Sequence, residues 1–149
     1  MITIPIINKP KGRKNMSDCI FCLLANGNIP TATLFENDDF RVILDAGPAT
    51  DGHCLILPKA HYANLLEMPD DLIAKAHVLA KQIGAKLMEV TGCDGFNVVQ
   101  NNNECAGQTV FHYHVHIIPR YEGGEAIVGW NPGTLSDDVK EKLVNGFNA

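Results

Sequence analysis

The chain has 149 residues, of which 46% are hydrophobic and 19% are charged, and its formal net charge is -5 with a pI near 5.6. This length and balance predict one globular domain that buries roughly 70% of the surface its unfolded chain exposes, without disulfide support. The acidic sequence has no long basic or apolar run, which argues against binding nucleic-acid phosphates and against a membrane span.

Five cysteines, an odd number, are present without an apolar secretory segment before them. This combination favours a reducing cytoplasm, where thiols stay free or bind metal. We therefore expect a cytoplasmic protein.

Residues 1–15 differ from the rest, because a short apolar run is followed by the basic, turn-rich stretch NKPKGRKN. Met16 then opens a stretch that is typical of a protein start. We expect residues 1–15 to be an N-terminal extension and residues 16–149 to form the domain. A small basic interaction arm is the alternative for residues 1–15.

A short helical turn is predicted from Cys19 to Ala25, because Asn26 and Gly27 favour a helix end. Strand signals separated by turn residues come next. They are the runs TATLFE (31–36), FRVILD (40–45) and HCLILP (53–58).

A long helix is predicted from Pro69 to Val90, because apolar residues recur there at spacings of three and four. Pro69 is allowed in a first helical turn, and Gly92 favours an end to the helix.

Two further strands are predicted, GFNVVQNN (95–102) and VFHYHVHIIP (110–119), with a polar loop over residues 101–109 between them. Ser136 can cap a short C-terminal helix with a thin apolar stripe. The order β-β-β-α-β-β predicts an α+β fold, in which a five-stranded antiparallel sheet is covered by the long helix.

Three histidines, His112, His114 and His116, recur at every second position of the predicted fifth strand. In a strand they would share one face, and the outermost two would be ~13 Å apart, so all three could not bind one metal ion. Their roles must differ. The other face would carry the apolar side chains of Phe111, Tyr113, Val115 and Ile117. A half-buried strand with outward polar residues is the simpler alternative.

His114, the middle histidine, is the natural reaction centre. A neutral imidazole, with an unperturbed pKa of ~6.5, can attack phosphorus without a base first removing a proton. The product would be a nucleotidyl-imidazole that water then splits. Gln108, Thr109 and the amides of the loop at Ala106 and Gly107 could donate to the phosphate oxygens.

These residues resemble the histidine triad (HIT) family, whose pattern is His-φ-His-φ-His-φ-φ with φ apolar. The resemblance extends over CIFC (19–22), LDAGPATDGHCLILPKAH (44–61) and NNNECAGQTVFHYHVHIIPR (101–120). It implies a nucleotide-binding α+β domain, usually a homodimer whose two sheets join, that acts as a nucleotidyl hydrolase or transferase.

The resemblance also implies residue roles. His114 takes the nucleophile position, and His116 and His53 take positions that contact phosphate or orient the nucleophile. Asp45 falls where the family binds ribose hydroxyls. Phosphate contacts are implied for Asn101, Gln108 and Thr109.

The retained His116 favours hydrolysis, because glutamine replaces this histidine in the uridylyltransferase branch. The short, bacterial-type sequence that begins with CIFC is similar to sequences of the purine nucleoside phosphoramidase group. The run GQTV (107–110) is instead similar to the corresponding run of the dinucleoside polyphosphate hydrolases. We expect a phosphoramidase with a purine nucleotide substrate, and a polyphosphate hydrolase is the alternative.

Cys19 and Cys22 form a Cys-x-x-Cys motif, which is a moderate metal signal, since two buried thiols on one helical turn are also common. In zinc-containing members of the family, the positions of His61 and His112 complete a structural Cys2His2 site. The resemblance therefore implies a structural zinc ion. His61 could instead be a plain surface residue.

Two other kinds of function remain open. One is a metallohydrolase in which His114 and His116, with a third ligand such as His53, hold a catalytic metal ion. The other is a nucleotide-binding protein without useful turnover. Outside the site, Trp130 is expected to be a packed aromatic and His77 to be solvated.

Overall fold

The computed structural model describes residues 18–125, 129 and 131–148. Its centre is a five-stranded sheet with the strand order β1-β2-β3-β5-β4, in which every neighbouring pair is antiparallel. The predicted α+β class and antiparallel sheet are thus confirmed. In chain order the strands are β1 (Thr33–Glu36), β2 (Phe40–Leu44), β3 (Cys54–Pro58), β4 (Gly95–Val99) and β5 (Val115–Arg120).

Helix α2 (Asp70–Thr91) covers one face of the sheet, as the spacing of its apolar residues predicts. It ends at Gly92, which adopts the left-handed conformation at φ 69° that glycine accepts without strain. Full burial of each large apolar side chain contributes about 1.5–3 kcal/mol, so this core is the main source of stability. The core includes Val42, Ile56, Ala76, Leu79, Leu87, Val115 and Ile117.

Helix α1 (Ile20–Ala25) lies against β2 and β3 and forms a smaller second core. That core contains Ala25, Ile43, Leu55 and Leu57. Because Cys19 directly precedes α1 and Cys22 lies within it, this packing fixes both cysteines beside the sheet.

Helix α3 (Asp137–Phe147) begins as predicted, since the Ser136 hydroxyl accepts a hydrogen bond from the Val139 N–H. Its thin apolar stripe is exposed, however, with Phe147 67% accessible.

The predicted fifth strand is too long at its start. β5 begins only at Val115, where it pairs with Ile56 of β3, and β4 ends opposite His116. Residues before Val115 bond elsewhere: the Tyr113 N–H donates to the Tyr62 carbonyl, 2.6 Å away. His112 and His114 therefore precede the strand, and Phe111, expected on the apolar face, is 45% exposed.

The predictions for residues 1–15 and for Trp130 lie outside the described residues. His77 is exposed on α2, as predicted. Among the residues that the structure describes, no helix is long and apolar enough to cross a membrane.

Candidate active site and metal centre

The ends of three strands bring together Asp45, His53 and His116. Asp45 directly follows β2, His53 directly precedes β3, and His116 is the second residue of β5. The Asp45 N–H donates to the His53 carbonyl, so the β2–β3 pairing continues into the site. Asp45 Oδ2 lies 3.5 Å from His53 Nε2 and 3.9 Å from His116 Nδ1.

Hydrogen bonds fix the tautomers of His53 and His116. The Ala49 N–H donates to His53 Nδ1 at 3.0 Å, so a neutral His53 carries its proton on Nε2. That Nε2–H donates to His116 Nδ1 at 2.9 Å. His116 must then carry its own proton on Nε2, which makes this atom a hydrogen-bond donor.

His114 has the opposite arrangement. Its Nδ1–H donates to the His112 carbonyl at 2.7 Å, which leaves Nε2 unprotonated with a free lone pair. The ring is nearly buried and packs edge-on against Phe21, with ring centroids 4.9 Å apart. The His116 ring lies at the same centroid distance from it, 4.9 Å. The ring is thus held in place by contacts with a helix and a strand.

Burial keeps these imidazoles neutral. Desolvation lowers the pKa of His114 below its ordinary value of 6.5, against a hydrogen bond to the His112 backbone that raises it. Desolvation, followed by the neighbouring His114 and His53, lowers the pKa of His116 to about 4. Desolvation also lowers the pKa of His53. A neutral His114 near pH 7 is the nucleophilic form.

Four metal-binding side chains, Cys19, Cys22, His61 and His112, form a second cluster, whose ligand atoms lie within 4.8 Å of one another. Cys22 Sγ is 3.3 Å from His61 Nδ1 and 3.4 Å from His112 Nδ1, and Cys19 Sγ is 3.6 Å from His112 Nδ1. Tetrahedral zinc with ordinary bond lengths separates sulfur and nitrogen ligands by about 3.5 Å. The cluster therefore has the dimensions of a Cys2His2 zinc site.

The chemistry of the cluster also suits a dication. His112 Nε2–H donates to the Pro58 carbonyl at 2.9 Å, so Nδ1 presents its lone pair to the thiols. Burial, and then the neighbouring Cys19, raise the pKa of Cys22 to about 12. Two thiolates in this position need a cation, and Zn2+ with two thiolates and two neutral imidazoles carries no net charge.

The loop between β4 and β5 contains the residues expected to contact phosphate. Gln108 is buried, and both of its side-chain N–H groups are engaged, because they donate to the Ala63 and Val110 carbonyls. Its side-chain oxygen accepts a hydrogen bond from the Asn103 N–H. Gln108 thus fixes the shape of this loop, in which Asn103 and Gly107 have positive φ. Thr109 is exposed and Asn101 is half-buried.

Three further groups contribute to the site and were not predicted from the sequence. Phe21 packs on the ring of His114, the Pro58 carbonyl orients His112, and the Ala49 N–H orients His53. The position of Phe21 between the two cysteines of CIFC was the one signal for it. The two backbone groups have no signature in the sequence.

Comparison with known proteins gives a family match. The HIT domain family matches residues 26–123, which include all the site residues except the two cysteines and Phe21. Adenosine 5'-monophosphoramidase HNT1 of Saccharomyces cerevisiae is 42% identical over 126 residues, which are 84% of this chain and 77% of the yeast protein.

Solved structures agree with the fold. A Streptococcus mutans protein, SMU.412c, superposes with a TM-score of 0.84 at 32% identity, covering 99% of this chain and 96% of its own. A zinc-bound histidine triad family protein from Mycobacterium smegmatis superposes with a TM-score of 0.73 at 30% identity, covering 89% and 94% of the two chains.

Proposed function

This chain belongs to the histidine triad family, and we propose that it is a nucleotide hydrolase that cleaves nucleoside 5'-phosphoramidates at the α-phosphate. Its nucleophile would be Nε2 of His114, and the intermediate a nucleotidyl-histidine.

The single observation that carries this proposal is the hydrogen bond from His114 Nδ1 to the His112 carbonyl. This bond gives His114 the tautomer that attack requires, and burial keeps the ring neutral. The Nε2–phosphorus bond forms as the bond from phosphorus to the amine breaks, and the amine nitrogen takes up a proton from solvent or from the His116 Nε2–H, because an amide anion is too basic to leave. The nucleotidyl-imidazole keeps its Nδ1–H, so it is cationic and a good leaving group when water attacks phosphorus.

His116 and His53 would assist this reaction. The His116 Nε2–H is the donor available for a phosphate oxygen, and His53 holds His116 in that tautomer. Asp45 would accept hydrogen bonds from the ribose hydroxyls. In the loop of residues 101–109, Asn101 and Thr109 would contact phosphate, whereas Gln108 would act through the backbone it holds in place.

The substrate class is supported by the name of the yeast relative, an adenosine 5'-monophosphoramidase. A purine nucleoside phosphoramidate is therefore the proposed substrate. Diadenosine polyphosphates are the second candidate, because the same nucleophile and the same phosphate contacts would serve either leaving group.

We also propose that Cys19, Cys22, His61 and His112 hold one structural zinc ion. The ligand distances and the zinc-bound Mycobacterium smegmatis neighbour support it. The ion would fix the relative positions of α1, β3 and the segment before β5. Turnover would not pass through it, because the four ligands fill its tetrahedral coordination.

The protein is further proposed to act as a homodimer in the cytoplasm. β4 lies at an edge of the sheet with Val98 44% exposed, and an open edge can pair with a second copy. Buried free thiols, such as those of Cys54 and Cys93, suit a reducing compartment.

Two measurements test the proposal. The first ranks kcat/KM for an adenosine phosphoramidate against diadenosine polyphosphates, and we expect the phosphoramidate to be faster. The second repeats the assay in the presence of a chelator that leaves the protein folded. Undiminished turnover supports the nucleophilic mechanism, whereas lost turnover in a folded protein would favour a metallohydrolase. A protein that binds nucleotide and hydrolyses neither substrate would be a binding protein only.

A further inference from the structure

We propose that Asp45, His53 and His116 form a second metal site, open to solvent on one side, where a divalent transition-metal ion such as Zn2+ binds reversibly and excludes the nucleotide. This site is separate from the cysteine-containing cluster and does not use His114.

The ligand atoms of Asp45, His53 and His116 lie close enough together to hold one metal ion. The three ligand atoms are 2.9, 3.5 and 3.9 Å apart: His53 Nε2 to His116 Nδ1, His53 Nε2 to Asp45 Oδ2, and His116 Nδ1 to Asp45 Oδ2. Nitrogen and oxygen ligands of tetrahedral zinc are about 3.4 Å apart, which lies between these values. If one imidazole moved slightly outward and the carboxylate slightly inward, all three separations would match those of zinc ligands.

The donor atoms of these side chains are of the types that bind transition metals. Two imidazoles and one carboxylate suit zinc and its first-row neighbours, whereas magnesium and calcium prefer oxygen ligands alone. Three protein ligands leave a fourth position for water. The side chains of Asp45 and His116 are 20% and 21% exposed, so an ion can reach them from solvent.

Metal binding has a proton requirement. The ion takes the lone pair of His53 Nε2, so the proton now on that atom must move to Nδ1. His53 then loses the hydrogen bond from the Ala49 N–H, which water can replace because Ala49 is exposed. Because of this exchange of hydrogen bonds and the open fourth position, we expect this site to bind zinc more weakly than the closed Cys2His2 cluster does. It is thus suited to sensing free metal rather than to holding it permanently.

Competition with nucleotide follows from the shared groups, and this step rests on the proposed function. A bound ion occupies the Asp45 carboxylate, the proposed acceptor of the ribose hydroxyls, and breaks the hydrogen bond between His53 and His116. Metal would therefore inhibit turnover instead of supporting it.

The test uses the protein carrying one zinc ion, titrated with further Zn2+ by calorimetry. We expect a second equivalent to bind more weakly than the first. Asp45→Asn should weaken this second site at least tenfold, since a neutral amide is a poor zinc ligand of nearly the same shape. His53→Ala should abolish it, and His77→Ala, which removes an exposed histidine of α2, should leave it unchanged.

Imidazole NMR provides a readout that is independent of turnover. The second equivalent should shift the nitrogen resonances of His53 and His116 and leave those of His61 and His112 in place. A protein that takes up no second zinc at millimolar concentration, or a second site that persists in both Asp45→Asn and His53→Ala, would overturn the metal site.

A third arm adds adenosine, which has a ribose but no chelating phosphate. Saturating adenosine should weaken the second zinc at least tenfold. Unchanged zinc binding with adenosine bound would refute the competition, and with it the ribose role proposed for Asp45, while the zinc titration alone would still decide the metal site.

Discussion

Replacing Cys22 with serine tests whether a zinc ion holds three distant segments together. Cys22 is 2% exposed and faces both His61 and His112, so its loss removes a ligand at the centre of the cluster. A serine hydroxyl binds zinc poorly, and zinc binding energy appears as folding energy.

The expected loss of stability follows from the coupling between zinc binding and folding. If zinc binding weakens a thousandfold at constant free zinc, the free energy of unfolding falls by about 4 kcal/mol. For a domain of this size, each 1 kcal/mol lowers Tm by about 2–4 °C, so we expect a decrease of roughly 8–16 °C.

The assay combines calorimetric melting with elemental analysis of zinc in protein prepared without chelators. Cys93→Ser is the matched control, because Cys93 is also buried, at 4% exposed, but belongs to neither metal cluster. The change in Tm of this control measures the cost of burying a serine hydroxyl in place of a thiol, without the loss of a zinc ligand. A Cys22→Ser protein that loses its zinc yet melts with the Cys93→Ser control would refute the structural role of the ion. Wild-type protein that contains no zinc would refute this role as well.

Three further predictions concern the reaction. His114→Ala should abolish phosphoramidate turnover and leave nucleotide binding measurable, whereas His116→Ala should lose only ~10²–10⁴ in rate, as expected for hydrogen-bond or acid–base assistance; equal losses in steady-state kinetics would contradict this division. Asp45→Asn should weaken ribonucleotides relative to their 2′-deoxy counterparts by about 1–3 kcal/mol in titration calorimetry, and an equal loss for both would remove Asp45 from the ribose site. The acid limb of kcat/KM should lie below pH 6.5, because the pKa of His114 is lowered and the ring therefore stays neutral as the pH falls through that value; a limb above pH 6.5 would contradict neutral His114 as the nucleophile.

The sheet and the long helix were predictable because their signals are local. The recurrence of apolar residues at spacings of three and four predicted α2. The helix ends before Gly92, which is left-handed, and its last residue is close to the predicted Val90. The boundary of β5 was not predictable in this way. Alternation continues through residues 110–114, but the partner strands do not: β3 and β4 pair with β5 only from Val115 onward.

The candidate site shows the same division. The resemblance to a family placed Cys19, Cys22, His61 and His112 in one metal site, and the structure brings these four together. The resemblance gave Asp45 a role separate from those of His53 and His116, and the contact among these three side chains was not predicted. The tautomers were beyond the sequence, because each depends on hydrogen-bond partners that only the folded chain brings together. Gln108 is a similar case. It was predicted to contact phosphate, but its side-chain amide forms hydrogen bonds with three backbone groups.

Trapping the covalent intermediate would show directly whether His114 is the nucleophile. Protein mixed with an adenosine phosphoramidate is quenched rapidly without acid, because acid splits the bond between phosphorus and the imidazole, and is then digested and analysed by mass spectrometry. We expect an adenylyl group on the peptide that contains His114, and none in the His114→Ala protein. Turnover by a wild-type protein that never carries the group, or a group attached to another residue, would contradict it.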